Sequence, residues 1–328
     1  MKLRINSVLI LLIALLLPFS RQKPLVLDHN DDPFVFHLQK ESLKIAQFTD
    51  LHLAFGFDAN DRKTLKLISN ITAETKPDLI VLSGDQTLSI TAPARHRQLI
   101  RHMESLKTPW TFVFGNHEAD YHKMERLLKV IFTMNTKYMY FKVGPLLENG
   151  GYGNFTINYL YEDNPFYNLY LLDSKAELKI PGSGRLFVYD YFSEAQVDWY
   201  RNKVIIDKIN NIKSTVFAHI PLIQYADALL IENKDKVKGI IGERISHQEV
   251  DTGFFNAMVE STVSEAFFAG HDHLNNFTFE KDGIILGYGQ ISGYNGYGTL
   301  RRGARIIEID ESKMFKTYVV YEDLSYEY

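Results

Sequence analysis

The chain has 328 residues, 45% of them apolar and 23% charged, values typical of soluble globular proteins that exclude a disordered chain, a collagen-like repeat and a multi-span membrane protein. Its 36 Lys+Arg against 40 Asp+Glu leave a net charge of −4, so no global basic charge is available to grip a nucleic-acid backbone. There is no cysteine, which removes disulfides, thiolate nucleophiles and iron–sulfur clusters and leaves His, Asp, Glu, Asn and backbone oxygens as the only metal ligands.

In chain order, Lys2 and Arg4 precede a run of twelve apolar residues, Val8 to Phe19. That is short of the roughly 18 needed to span a bilayer and inside the range of about 7–15 for a secretory signal core. Residues 1–20 therefore read as a signal peptide or an uncleaved signal anchor, and 21–42 as a lead segment. Three Asn-x-Thr sequons, at Asn70, Asn154 and Asn276, are compatible with an exported, glycosylated protein.

From residue 43 the pattern predicts a strand over Leu43–Thr49 and a helix from Arg62 to Thr75, where Leu65, Ile68 and Ile71 recur at three-residue spacing. A strand over Asp78–Leu82, a helix from Pro93 to about Leu106, a strand over Pro109–Phe114 and a helix from about Lys123 to Phe132 follow, the alternation of a parallel sheet covered by helices. Tyr138–Val143, Phe155–Leu160 and Tyr167–Leu172 read as a meander. A helix from Ser193 to Lys208 and strands at Ser214–Ala218 and Ser264–Ala269 come next. Hairpins built from Phe277–Glu280, Ile284–Leu286, Ala304–Ile309 and Thr317–Tyr321 close the chain. No linker divides these blocks, so residues 43–328 read as one α/β domain with two sheets.

Five polar clusters follow predicted strands: Asp50-Leu-His52, Gly84-Asp85, Gly115-Asn116-His117-Glu118, His219 and Gly270-His271-Asp272-His273. Strand ends are where loops of an α/β fold gather distant residues around a ligand. Period-two alternation would put Asp50 and His52 on one side of an extended segment, and His271 and His273 likewise, as metal-clasping pairs. Each cluster alone is as ordinary as a turn or a satisfied core histidine. All five in this order are not.

The ordered pattern resembles the calcineurin-like metallophosphoesterases over about residues 43 to 310. Glu243–Phe255, Phe268–Phe277 and Tyr297–Arg305 resemble the purple-acid-phosphatase-like branch that includes the fungal dose-dependent cell-cycle regulator phosphatase and its plant relatives. The resemblance implies a four-layer αββα sandwich of two mixed sheets flanked by helices. It implies one metal held by Asp50, His52, Asp85 and His273 and a second held by Asp85, Asn116, His219 and His271, with Asp85 shared. Iron, zinc or manganese suits such a nitrogen and oxygen shell. The implied reaction is hydrolysis of a phosphoester by a metal-bridging hydroxide, with His117 as general acid to the leaving alkoxide. Glu118, Asp272 and Glu243 are expected behind the ligands, and Tyr294 and Tyr297, in the Gly-rich stretch Gly287–Gly298, at the substrate.

Two departures from family patterns bear on the chemistry. Leu88 stands where purple acid phosphatases carry a metal-bound tyrosine, so no tyrosinate–iron colour is expected. Gln86-Thr87-Leu88-Ser89 replaces the Asp-Arg that follows the bridging aspartate in the serine/threonine phosphatase branch, leaving Arg301, Arg302 and Arg305 as candidates to grip phosphate. The leading reading is a monomeric phosphomonoesterase acting on a phosphorylated small molecule or phosphoprotein. Its rivals are a phosphodiesterase acting on nucleotides, lipid head groups or cell-wall phosphates, and a catalytically silent binding module.

Overall fold

The computed structural model describes residues 26–56, 58–179, 187–312 and 314–328; the signal segment 1–20 lies outside them. Strands β1 (Phe34–Leu38), β2 (Leu43–Phe48), β3 (Leu79–Ser83) and β4 (Trp110–Val113) are interleaved with helices α1 (Ala59–Thr75), α2 (Ala92–Leu106) and α3 (Met124–Thr133). Then come β5 (Phe155–Tyr161), β6 (Asn164–Leu171), β7 (Glu177–Leu178), β8 (Val188–Tyr189), α4 (Glu194–Asn210), β9 (Lys213–Phe217), β10 (Val237–Lys238) and α5 (Phe254–Ser261). The chain closes with β11 (Ser264–Ala269), β12 (Thr278–Lys281), β13 (Ile284–Tyr288), β14 (Gly303–Ile309), β15 (Phe315–Tyr321) and β16 (Tyr326–Glu327).

The strands form two large mixed sheets, one of eight in the order β1-β5-β6-β9-β11-β13-β12-β10 and one of six in the order β16-β15-β14-β2-β3-β4. Their inner faces interlock: Ile45, Phe48, Leu82 and Ile306 of the smaller sheet share one buried cluster with Ile157, Leu169, Phe217 and Phe268 of the larger. Phe268 stacks on Phe315 across the gap, with ring centroids 6.1 Å apart. Helices cover both outer faces. Leu65 and Ile68 of α1 and Leu99 and Met103 of α2 join the smaller sheet, while Trp199, Tyr200, Phe254 and Met258 of α4 and α5 pack on Tyr170, Val216 and Phe267 of the larger. The expected four-layer sandwich is the fold. Burial on both faces explains the apolar runs Leu79–Leu82 of β3 and Ala266–Ala269 of β11, which could not have alternated without placing polar groups under a helix.

Local signals set the helix ends. Asp58 accepts from Asp61 N at 2.7 Å to cap α1, and Ser193 with Gln196 forms a reciprocal capping box at α4. Each of the four expected helices begins within three residues of its expected start, and α5 is a further helix that is not among the expected elements.

Three regions differ from expectation. The lead segment carries β1, which pairs in parallel with β5, so the described fold starts before residue 43. Tyr138–Val143 is no strand; it meets β4 at a single bridge, Trp110 to Met139. Glu104 holds it there, accepting from Trp110 Nε1 at 2.9 Å and from the Lys137 and Tyr138 amides, while Phe141 leaves the strand path to stack on Phe112 at 4.1 Å. The expected meander is thus reduced to the antiparallel pair β5–β6, and β6 continues the sheet by pairing in parallel with β9.

The sequons part company by burial. Asn154 is fully buried, donating to Gly150 O and accepting from Gln196 Nε2, and Asn276 is bonded to Gln290 and Ile240 in the interior. Asn70 lies exposed on α1. Folded protein recovered from a glycosylating secretory host is expected to carry glycan at Asn70 alone; mass-spectrometric peptide mapping that finds occupied Asn154 or Asn276 would contradict this packing.

Candidate metal centre

Five loops converge on one site. Those after β2, β3 and β4 bring Asp50 and His52, Asp85, and Asn116 with His117; those after β9 and β11 bring His219, and His271 with His273. Two groups of ligand atoms form there, Asp50–His52–His273 and Asp85–His219–His271, each with all atoms within 4.8 Å of one another and all six residues buried. Asp85 Oδ2 stands between the groups, 3.3 Å from His219 Nε2 and 3.8 Å from His52 Nε2. Asn116 Oδ1 lies 3.1 Å from His219 Nε2.

The expected extended i, i+2 pairs are not how the loops do this. Asp50, His52, Asp85 and His271 all occupy the left-handed region, with φ of 54°, 46°, 52° and 81°. Side chains rarely tolerate that conformation, and such strain gathers at functional sites, where the surroundings overdetermine it. The glycines beside them matter for space. A Cβ on Gly115 would sit 2.2 Å from Asp85 Oδ1, and one on Gly270 1.9 Å from Thr49 Oγ1.

Surrounding groups aim each polar atom. Asp50 Oδ2 accepts from Thr49 Oγ1 at 2.7 Å and from His271 N at 3.0 Å, which leaves Oδ1 pointing into the site. Asp85 Oδ1 accepts from His117 N at 2.9 Å, which leaves Oδ2 inward. Because a carbonyl can only accept, His219 Nδ1 donates to Ser83 O at 2.8 Å and His273 Nδ1 to Tyr297 O at 3.3 Å. Both rings thereby turn an unprotonated Nε2 lone pair toward the carboxylates when neutral, the tautomer a metal requires.

Charge and burial act in opposition here. Burial pushes His52 down to about 4 and His271 to about 3, holding both neutral. Burial also works against a charged His219, but the Asp85 carboxylate overrides it and raises that ring to about 10. For His117 likewise burial lowers and the carboxylates of Asp85 and Asp120 raise, with a net rise; its Nδ1 lies 2.8 Å from Asp120 Oδ2 and its Nε2 4.0 Å from Asp85 Oδ2.

The donor set fits metal. Asp50 Oδ1 and His271 Nε2 are buried polar atoms without a hydrogen-bond partner, and two carboxylates lie buried among four imidazoles. Polar atoms this deep without partners are costly unless something else satisfies them.

The remaining expected residues divide. Glu118, wholly buried, accepts from the amides of Gly115, Asp85 and Thr87, and burial together with the Asp85 charge pushes it up to about 8. Asp272 turns away from both groups and accepts from Tyr288 OH at 2.6 Å and Ser246 N at 3.0 Å. Glu243 accepts from Leu274 N at 2.7 Å and Tyr297 OH at 2.8 Å, and the Tyr297 ring stacks on His273 at 4.0 Å. Tyr294 does not reach the pocket; its hydroxyl goes to Glu322.

None of the three arginines reaches the pocket either. Arg301 pairs with Asp323, Arg302 donates to the carbonyls of Gly293, Gly296, Gly298 and Leu300, and Arg305 donates to Tyr288 O, Asn276 O and Thr317 Oγ1. Each is consumed in holding the Gly-rich loop or the sheet, a role that a position beside a strand does not reveal. The pocket over the metal groups, about 400 Å³, is instead lined at its rim by Leu88, Glu177, Phe187, Tyr189, Asn295 and Tyr297. Asn295 is fixed by donating to His52 O and Asp61 Oδ1. Of these, sequence reasoning had singled out only Leu88 and Tyr297; Glu177 and Tyr189 come from the short β7–β8 ribbon, which has no length or periodicity to betray it.

The chain is similar to known proteins in sequence and in fold. Residues 43–275 match the family model described as calcineurin-like phosphoesterase. A protein of Arabidopsis thaliana named "Probable inactive purple acid phosphatase 14" is 27% identical over 314 residues, covering 84% of this chain and 76% of its own. The phosphatase DCR2 of Saccharomyces cerevisiae is 27% identical over 270 residues, covering 73% of this chain and 45% of its own. The crystal structure of a dimetal phosphatase from Danio rerio has the same fold, with a TM-score of 0.58 at 11% identity over 84% of this chain and 98% of its own. With most of its length matched by that family model, and with two metal-suited groups at the ends of its strands, the chain belongs to the calcineurin-like phosphoesterase family.

Proposed function

We propose that the protein is a dinuclear metal-dependent phosphoester hydrolase, most fitly a phosphomonoesterase. The observation that carries this reading is the pair of ligand groups joined by Asp85 Oδ2, with Asp50 Oδ1 and His271 Nε2 buried and unsatisfied. In this reading Asp50, His52, Asp85 and His273 hold one metal, and Asp85, Asn116, His219 and His271 the other. Two such ions supply Lewis-acid neutralisation of phosphoryl charge and a nucleophile at neutral pH. Iron, zinc and manganese all suit the shell.

The chain's own groups do the rest. His117 lines the pocket with its Nδ1 tied to Asp120, which leaves Nε2 to hand a proton to the leaving alkoxide. The Asp120 carboxylate at its Nδ1 favours the protonated ring. Glu118 fixes the amides of both Asp85 and Gly115, and so the geometry of the shared ligand. Leu88 at the rim supplies no phenolate, which supports an uncoloured site. A pocket of about 400 Å³ is within the range that holds a small phosphate ester. We further propose that residues 1–20 direct export, the protein then being secreted or tethered as a monomer; among the described residues no helix is long and apolar enough to cross a membrane.

The relative named inactive makes a silent binding module the second reading. Against it stands the complete set of seven ligand side chains with His117.

Asp85→Asn is expected to lower kcat by about a thousandfold or more and to drop bound metal toward one equivalent, since several kcal/mol of charge stabilisation go with the shared carboxylate. Retained activity with two metals would refute the shared-ligand assignment. Purified, metal-loaded protein is expected to cleave an aryl phosphomonoester well ahead of the aryl phosphodiester, and the reverse order would replace the phosphatase reading by the phosphodiesterase one. An iron-loaded sample is expected to lack a tyrosinate charge-transfer band; a purple protein would sink the ligand set.

A further inference from the structure

The rim of the pocket holds a carboxylate that the proposed chemistry does not use. In the β7–β8 ribbon Glu177 pairs directly with Tyr189, so their side chains share one face, and both line the pocket. Tyr189 meets His271 edge-on at 4.4 Å, and Phe187 packs against Tyr189 with centroids 6.0 Å apart. On the other wall Tyr297 lies over His273. The Glu177 side chain is exposed, and the opposite charge acting on it is the His117 ring deeper in the same pocket. No lysine or arginine is among the described residues lining the pocket.

An exposed carboxylate beside three aromatic rings, in a lining whose described residues include no lysine or arginine, is the chemistry that recognises a small organic cation, through charge and through the negative faces of the rings. On the phosphoester-hydrolase reading of the metal centre, we propose that this rim selects the alcohol end of the substrate, and that the preferred substrates are phosphate esters of cationic amino alcohols, bearing a primary or quaternary ammonium group. The phosphate end is neutralised at the metal groups while the ammonium end sits between Glu177, Phe187, Tyr189 and Tyr297. Alcohols that carry further phosphates meet Glu177 without a lysine or arginine among the described lining residues to offset it, and are disfavoured by the same geometry.

The test compares phosphocholine with neohexyl phosphate, in which carbon replaces the quaternary nitrogen at almost unchanged shape. Metal-loaded wild type is expected to favour phosphocholine by about tenfold in kcat/KM, the size of a partly desolvated cation–π and ion-pair contact. Glu177→Gln, at an exposed position, is expected to collapse that ratio toward one. The non-hydrolysable phosphonates of the two compounds, titrated calorimetrically, are expected to show the same tenfold preference in Kd and the same loss in the variant. Equal kcat/KM and equal Kd in wild type, or a variant that shifts both compounds alike, would overturn the proposal while leaving the hydrolase reading intact. No turnover of either ester, with the phosphonate preference retained, would remove the hydrolase reading and leave the cation site standing.

Discussion

The buried carboxylate of Glu118 is the tie on which the site depends. One side chain accepts the amides of Gly115, Asp85 and Thr87, and so fastens the ends of two neighbouring strands to a single point in the interior. A carboxylate this deep keeps its place only because three donors converge on it. Asp85 is thereby held in a left-handed backbone with one oxygen bound to the His117 amide and the other free to face four imidazoles. The two sheets contribute unequally but jointly. The smaller one presents the carboxylates, the larger one presents His219 and His271, and the interlocked inner faces keep the two sets in register.

The proposed ligands were legible because strands buried on both faces read as unbroken apolar runs, and a polar cluster at the end of such a run stands out. β3 followed by Gly84-Asp85 and β11 followed by Gly270-His271 are the clearest instances. Capping residues were equally plain, since Ser193 and Gln196 act over four positions. What escaped depends on contacts far apart in the chain. Strand β1 is half exposed, and its identity as a strand rests on pairing with β5, whose residues come more than a hundred positions later. Tyr138–Val143 alternates like a strand, yet Glu104 and the stacking of Phe141 on Phe112 decide its course.

Charge was the least legible property. Arg302 and Arg305 stand near the Gly-rich loop in sequence, but their guanidinium groups turn to backbone carbonyls and hold that loop's shape. The side chains that define the pocket's rim came instead from a ribbon of two-residue strands, where neither propensity nor periodicity gives a signal. Tyr297 shows how one residue can serve both ends: its carbonyl orients His273, its ring covers that histidine, and its hydroxyl is anchored by Glu243.

The left-handed backbone at Asp50, His52, Asp85 and His271 has a consequence for how such a protein can change over time. Asparagine and glycine accept that conformation more readily than histidine does. Substitutions to those residues therefore relieve backbone strain at the same positions that the proposed chemistry needs. A lineage released from the need to catalyse would keep the sandwich while losing its metal ions, so that fold and activity decay on separate schedules.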